Sequence, residues 1–143
     1  MRAVLDANVI ISALLSRSGS PAVALVAWQE GDFELIVSPL LLAELERALA
    51  YPKLRRRVSA EEAEAVLDWL RRAATVAPDP EGPPPIWSRD PGDDYALTLA
   101  ASEHALLVSG DDHVLSLQGQ SPIHSPASFL SLLDLSLLDG QKP

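Results

Sequence analysis

The chain has 143 residues, 20 of them acidic and 11 basic for a net charge of −9, and it has no cysteine. That length fits one compact domain with a sizeable core, expected over residues 1–138 with a short tail at 139–143; the missing thiols exclude disulfides, thiolate catalysis and cysteine-ligated zinc. The acidic excess opposes nonspecific attraction to nucleic acid and to anionic membranes, so a phosphate-bearing substrate needs a bound cation or a local basic cluster.

The first residues, MRAVLDANVIISALL, are apolar enough to suggest a signal peptide, but Asp6 and Asn8 interrupt the hydrophobic stretch. A buried strand over residues 2 to 6 is expected instead, then a helix from Asn8 to Leu15 with Val9, Ile10, Leu14 and Leu15 as apolar positions. Ser18 to Pro21 mark a break, a helix follows from Ala22 to a stop at Gly31, and Leu35 to Val37 reads as a second strand. Ser38-Pro39 predicts a helix start, because serine caps free backbone N–H groups and proline is tolerated at the first helical position; Leu41, Leu42, Leu45 and Leu49 fall on one face. The basic cluster of Lys53, Arg55, Arg56 and Arg57, with Arg71 and Arg72 further on, reads either as a solvated helix end or as a phosphate-facing patch.

A capping-box pattern at Ser59 to Glu62 opens another helix, with Ala63, Val66, Leu67, Leu70 and Ala74 as its stripe, and Thr75 to Ala77 forms a third strand. Residues 78 to 85, rich in proline, acid and glycine, read as a surface loop. The loop leads to D-P-G-D-D, with Asp90, Pro91 and Gly92 as a turn and Asp93 capping a helix that runs to about His104. A strand at Leu106 to Ser109, a turn at Gly110, a short helix through Val114, Leu115 and Leu117, a strand at Pro122 to His124 and a helix from Ser125-Pro126 to about Leu138 complete the order. The alternation predicts an α/β domain with a mainly parallel sheet. No apolar run approaches the roughly 20 residues needed to cross a bilayer, so a soluble, cytoplasmic protein with no membrane partner is expected.

In open parallel sheets, ligands bind beyond the carboxyl ends of the strands, where strand order reverses. Asp6 closes the first strand and Asp111 follows L-L-V-S across one glycine, so the two meet at one edge if those strands are neighbours. Glu44 lies beside the stripe of Leu41, Leu45 and Leu49 while Glu46 points away; it reads as a boundary residue with a solvated head or as an acid facing the site. Asp93 and Asp94 begin a helix, where one can serve as a cap or complement the dipole and leave the other over. Converging carboxylates cannot all stay ionised without a counter-charge, and oxygen ligands select Mg²⁺ or Mn²⁺ over zinc. Such an ion suits hydrolysis of a phosphodiester. The tryptophans, Trp28, Trp69 and Trp87, read as core or interface anchors, with Trp87 in the proline-rich loop near the expected site.

Together, L-D-A-N-V at Leu5 to Val9, the S-P-L-L-L-A-E-L-E run through Glu44, D-P-G-D-D before a helix and V-S-G-D-D-H-V-L at Val108 to Leu115 resemble the PIN domain. They are most similar to its VapC-like bacterial branch, the toxin components of type II toxin–antitoxin pairs, in order from Arg2 to about Phe129. The resemblance implies a three-layer α/β/α sandwich with a central, mainly parallel sheet and a Mg²⁺- or Mn²⁺-dependent ribonuclease site. On that basis Asp6, Glu44, Asp94 and Asp111 match the family's acids as catalytic and metal-holding groups, Asp94 being preferred to Asp93 because it stands three residues before Leu97. Asn8 matches a residue that orients the first acid, and Ser12, Asp93, Ser109 and Asp112 are candidate supporting groups around the site. Lys53, Arg55, Arg56, Arg57 and Trp87 are candidates for RNA contact. The resemblance also implies a homodimer and a small antitoxin whose segment occupies the site. One departure stands out: relatives often read G-D-x-D-L-L where this chain has His113 in place of the second acid, which lowers metal affinity if that acid supports the site.

Two other phosphate chemistries fit less well. A hydrolase with an aspartate nucleophile after its first strand would show Asp-x-Asp, whereas Asn8 cannot transfer the proton. A phosphoacceptor receiver domain would want a late lysine near the acids, and Lys142 is the only lysine after Lys53. The main rival is a catalytically weak or inactive module on the same scaffold, acting through protein or RNA binding.

Overall fold

The computed structural model describes residues 1–81, 91–110 and 123–140, the side chains of 91–94 and 137–140 excepted. In chain order the elements are β1 (Arg2–Leu5), α1 (Ala7–Leu15), α2 (Ser20–Gln29), β2 (Glu34–Val37), α3 (Pro39–Leu49), α4 (Pro52–Arg55), α5 (Ala60–Ala73), β3 (Thr75–Val76), α6 (Pro91–Ser102), β4 (Leu106–Val108), β5 (Ile123–His124) and α7 (Pro126–Gly140). The strands form one sheet in the order β3-β2-β1-β4-β5, every pairing parallel. Crossovers out to β3 and back to β4 carry the helices that cover the sheet, giving a three-layer α/β/α sandwich.

The central strand reads as an uninterrupted apolar run because both its faces are covered: Ala3, Val4 and Leu5 are fully buried. Side-chain caps start four of the helices, one of them α7, where Ser125 Oγ accepts from the Ser128 amide at 3.1 Å. Asp6 Oδ1 accepts from the Val9 amide at 2.9 Å, Ser38 Oγ from Leu41 at 3.3 Å and Ser59 Oγ from Glu62 at 3.1 Å, each satisfying a donor the helix leaves unpaired. The stripes expected for α3 and α5 are the buried ones: Leu41, Leu42, Leu45 and Leu49 on the first, and Ala63, Leu67 and Leu70 on the second.

Several boundaries differ from those expected. α1 starts at Ala7 because Asp6 caps it while still donating its own N–H to the Val108 carbonyl at 3.1 Å, so one residue ends a strand and opens a helix. α2 starts at Ser20, its Pro21 lying in the first turn where the missing N–H costs no hydrogen bond. α4 is a single turn within the basic cluster that sequence periodicity is too short to reveal. α6 starts at Pro91, so Asp93 lies inside the first turn instead of at the residue before the helix, and the turn expected over Pro91 and Gly92 is helical. α6 ends at Ser102, with His104 at φ 51 and closing bonds from Ala105 to Ala100 (2.9 Å) and from His104 to Ala101 (3.2 Å). That paired closure normally recruits glycine, as Gly31 does after α2 at φ 85, and a histidine there gives no warning in the sequence. The short helix expected through Val114, Leu115 and Leu117 lies outside the described residues.

Aromatic pairs join the layers. Phe33 and Phe129 meet edge to face with centroids 4.9 Å apart, and Trp28 lies 4.6 Å from Trp69, so both of these tryptophans serve the core as expected. Among the described residues no single helix is long and apolar enough to cross a membrane.

At the β2–β3 edge, Glu34 accepts from the Thr75 hydroxyl at 2.8 Å and pairs with Arg2 at 3.1 Å. The Thr75 hydrogen bond, followed by the Arg2 bond and charge, outweighs desolvation and holds the Glu34 carboxyl below its usual range. A depressed folded pKa contributes stability above the unfolded value, near about 4.3, and loses it as pH falls through the folded one. Thr75→Val is therefore expected to move the Glu34 carboxyl titration upward, read by carbon-detected NMR; an unmoved midpoint would exclude Thr75 as its main cause.

Candidate active site

The chain runs from β1 outward to β2 and β3, then crosses back to β4 and β5 on the other side of β1. Strand order therefore reverses between β1 and β4, which makes the carboxyl ends of those strands the place where a ligand crevice forms. Leu5 is in register with Val108, and the Asp6 N–H bond to Val108 ties the next residue of β1 to the end of β4. Asp6 is half-buried there. Ser109 is fully buried, its N–H donating to His124 at 2.9 Å, so the end of β4 is fixed from both sides. Asp111 and Asp112 follow Gly110 but lie outside the described residues, as do Trp87 and His113.

Glu44 is half-buried on α3, and Glu46 is exposed, as the helical face predicted. The Glu44 charge acts on Tyr95, the first residue of α6 whose side chain is described. α3 packs on α1, the helix that follows β1, and α6 packs on β1 and β4. Asp94 immediately precedes Tyr95 in the first turn of α6; its backbone is placed there and its side chain lies outside the described residues. Among the described residues no group of three or more histidine, cysteine, aspartate or glutamate side chains forms a metal cluster. The described candidate donors, Asp6 and Glu44, are carboxylates, the oxygen chemistry that a hard cation such as Mg²⁺ takes.

A polar network stands beside these acids. Tyr95 Oη donates to Asp79 Oδ1 at 2.6 Å, Ser38 Oγ bonds the same Tyr95 hydroxyl, and the Leu40 amide donates to Asp79 Oδ1 at 3.0 Å. Burial works against the charged form of Asp79, but the hydrogen bonds it accepts, that from Tyr95 first and that from the Leu40 amide next, outweigh it and hold the carboxyl low. Burial, then the bond to Asp79, and then the charges of Asp79 and Glu44 push the Tyr95 hydroxyl well above its ordinary range. Sequence reasoning found Ser38 as a cap but missed Asp79 and Tyr95. Asp79 sits among prolines that read as loop, and the tyrosine stands at the edge of an apolar helix where nothing in the periodicity marks it.

Asn8 and Ser12 are exposed one turn apart on α1, where with Val9, Pro21, Gly110 and Pro126 they line a small cavity of about 160 Å³. A larger groove of about 1020 Å³ runs from Asn8 along Ile11 and Leu15 to Tyr51 and Leu54, with Lys53 and Arg56 on its rim. Arg57 donates to the Leu15 carbonyl at 3.2 Å. Arg55 turns elsewhere: it lines a separate cavity with Glu46, Glu64 and Arg71, its Nη1 buried without a hydrogen-bond partner among the described residues. The basic cluster thus divides, and two of its members reach the groove beside Asn8.

An α/β/α sandwich with Asp6 at the β1–β4 switch point defines a class of parallel-sheet proteins in which a ligand crevice forms at that edge. The family model described as "PIN domain" matches residues 2–113, and the chain belongs to the PIN domain family. The uncharacterized protein MJ1680 of Methanocaldococcus jannaschii is 26% identical over 121 residues, covering 85% of this chain and 77% of that protein. Among solved structures, VapBC2 from Rickettsia felis, bound to a DNA fragment from its promoter, superposes with TM-score 0.61 at 15% identity, over 87% of this chain and 97% of that one. VapBC-1 from nontypeable Haemophilus influenzae gives 0.60 at 16%, over 89% and 99%. These two superpositions establish a shared fold.

Proposed function

We propose that the chain is a Mg²⁺- or Mn²⁺-dependent endoribonuclease, the toxin of a toxin–antitoxin pair, with Asp6, Glu44, Asp94 and Asp111 as its catalytic and metal-holding acids. Membership of the PIN domain family supports a nuclease, and PIN nucleases generally use divalent metal ions. The observation that carries the reading is the Asp6 N–H bond to Val108, which sets the first acid at the end of β4, two residues before Gly110 and three before Asp111. A divalent ion, when bound, would polarise a phosphoryl oxygen and ease deprotonation of a water for in-line attack.

The chain's own residues supply orientation and charge. The Val9 amide fixes Oδ1 of Asp6, and Glu44 is half-buried on α3. Lys53 and Arg56 on the rim of the groove would offset the acidic net charge locally and attract the phosphates of RNA. Asn8, Ser12, Ser109, Asp93 and Asp112 would support the site from around it. The structural neighbours are VapBC complexes, which supports a small antitoxin as partner, and the apolar floor of the groove beside Asn8 suits a segment of such a protein. A second copy of the chain is the other expected partner.

The test is cleavage of a broad RNA pool by the purified protein with Mn²⁺, with Mg²⁺ and with EDTA. Metal-dependent cleavage lost in Asp6→Asn supports the reading. An intact pool under every condition, from protein that still binds a partner, would favour the inactive-module reading instead.

A further inference from the structure

We propose that Tyr95 is a positioning residue of this site: its hydroxyl, held between Ser38 and Asp79, ties the first turn of α6, which carries Asp94, to the N-terminus of α3, which carries Glu44. The inference rests on the ribonuclease reading for its catalytic meaning and on the hydrogen bonds alone for its geometry.

The protons of the network fall in one order. Tyr95 has a single O–H, and it points to Asp79 at 2.6 Å, so the proton between Ser38 and Tyr95 comes from Ser38. Ser38 Oγ keeps a lone pair for the Leu41 amide at 3.3 Å, and Asp79 Oδ1 also accepts from the Leu40 amide at 3.0 Å. Two amides that α3 leaves unpaired at its start are thereby satisfied by the same groups that hold Tyr95. Ser38 is fully buried, so a rearranged hydroxyl there could not turn to water without cost. Such chains of bonds polarise one another and favour one arrangement over alternatives.

The placement gives the tie its consequence. Tyr95 adjoins Asp94 in sequence, and Ser38 opens the helix that brings Glu44 inward. Asp79 stands shortly before residues 82–90 and Tyr95 shortly after them, so both flanks of that stretch are gathered at the N-terminus of α3. The ring of Tyr95 packs against the core, so phenylalanine at this position would keep the packing and remove only the hydroxyl with its bonds to Asp79 and Ser38.

The experiment compares wild type with Tyr95→Phe, Asp79→Ala and the double variant, reading kcat and KM on RNA, Mn²⁺ affinity by calorimetry, and amide exchange. Each single variant is expected to lose about tenfold in kcat and in Mn²⁺ affinity, the cost typical of removing a group that orients a metal ligand, with KM for RNA unchanged. The double variant should be no worse than either single one, because both break the same tie. Amides 95 to 98, whose helical acceptors are the carbonyls of 91 to 94, should exchange about tenfold faster in Tyr95→Phe while β1 amides keep their protection. Unchanged exchange, affinity and kcat in Tyr95→Phe would overturn the proposal with the enzyme intact. A wild type that neither binds Mn²⁺ nor cleaves RNA would instead overturn the ribonuclease reading. In that case faster exchange in Tyr95→Phe would leave the residue a structural tie and reject its positioning role.

Discussion

Asp6→Asn is expected to abolish metal-dependent RNA cleavage while leaving the fold as stable as the parent's. The two effects separate because the proposed role asks of the side chain something its capping role does not. As the cap of α1, Asp6 needs only a side-chain oxygen for the Val9 amide, and asparagine caps a helix about as well as aspartate. As a site acid it needs a negative charge, which the amide lacks. Removing groups that merely orient a metal ligand costs about 10- to 100-fold, so loss of a ligand itself should cost at least the upper end of that range. Asp6→Ala removes both roles and should in addition cost about 1 kcal/mol of stability. Cleavage assays alongside urea denaturation separate the two substitutions. Full activity in Asp6→Asn would remove Asp6 from the chemistry.

Phe129→Ala should be the most destabilising single change considered, at about 3–5 kcal/mol. Phe129 on α7 is fully buried and sets its ring edge against Phe33, just before β2, while α7 packs on α2. Truncation there loses the transfer free energy of the ring, leaves a cavity and releases the aromatic contact. Domains of this kind are stable by only about 5–15 kcal/mol, so the loss is a large share of the total. The urea midpoint should fall sharply with an unchanged slope. A loss below about 1 kcal/mol, the scale of surface substitutions, would mean that α7 does not dock as described.

The sequence by itself determined the alternation of elements and much of their chemistry. Local signals are sufficient for this: Ser38-Pro39 and Ser59 mark helix starts through side-chain oxygens, the leucines of α3 mark its buried face, and A-V-L marks a strand covered on both sides. The inward turn of Glu44 followed from the same periodicity, since helix geometry fixes which neighbours share a face. Boundaries were less legible where two roles share a residue, as at Asp6, or where a residue without the usual signal takes the left-handed conformation, as at His104.

Only the tertiary structure decided which strands are neighbours. Hydrogen bonding between β1 and β4 joins residues about a hundred positions apart, and no local pattern encodes that choice; once made, it sets Asp6 at the switch point of the sheet. The division of the basic cluster followed from the single turn of α4, which sends Lys53 and Arg56 toward the groove and Arg55 toward α5. The Ser38–Tyr95–Asp79 network was invisible for the same reason. Its members come from a helix cap, an apolar helix and a proline-rich stretch, each ordinary where it stands, and they become one unit only because folding packs α6 beside the N-terminus of α3.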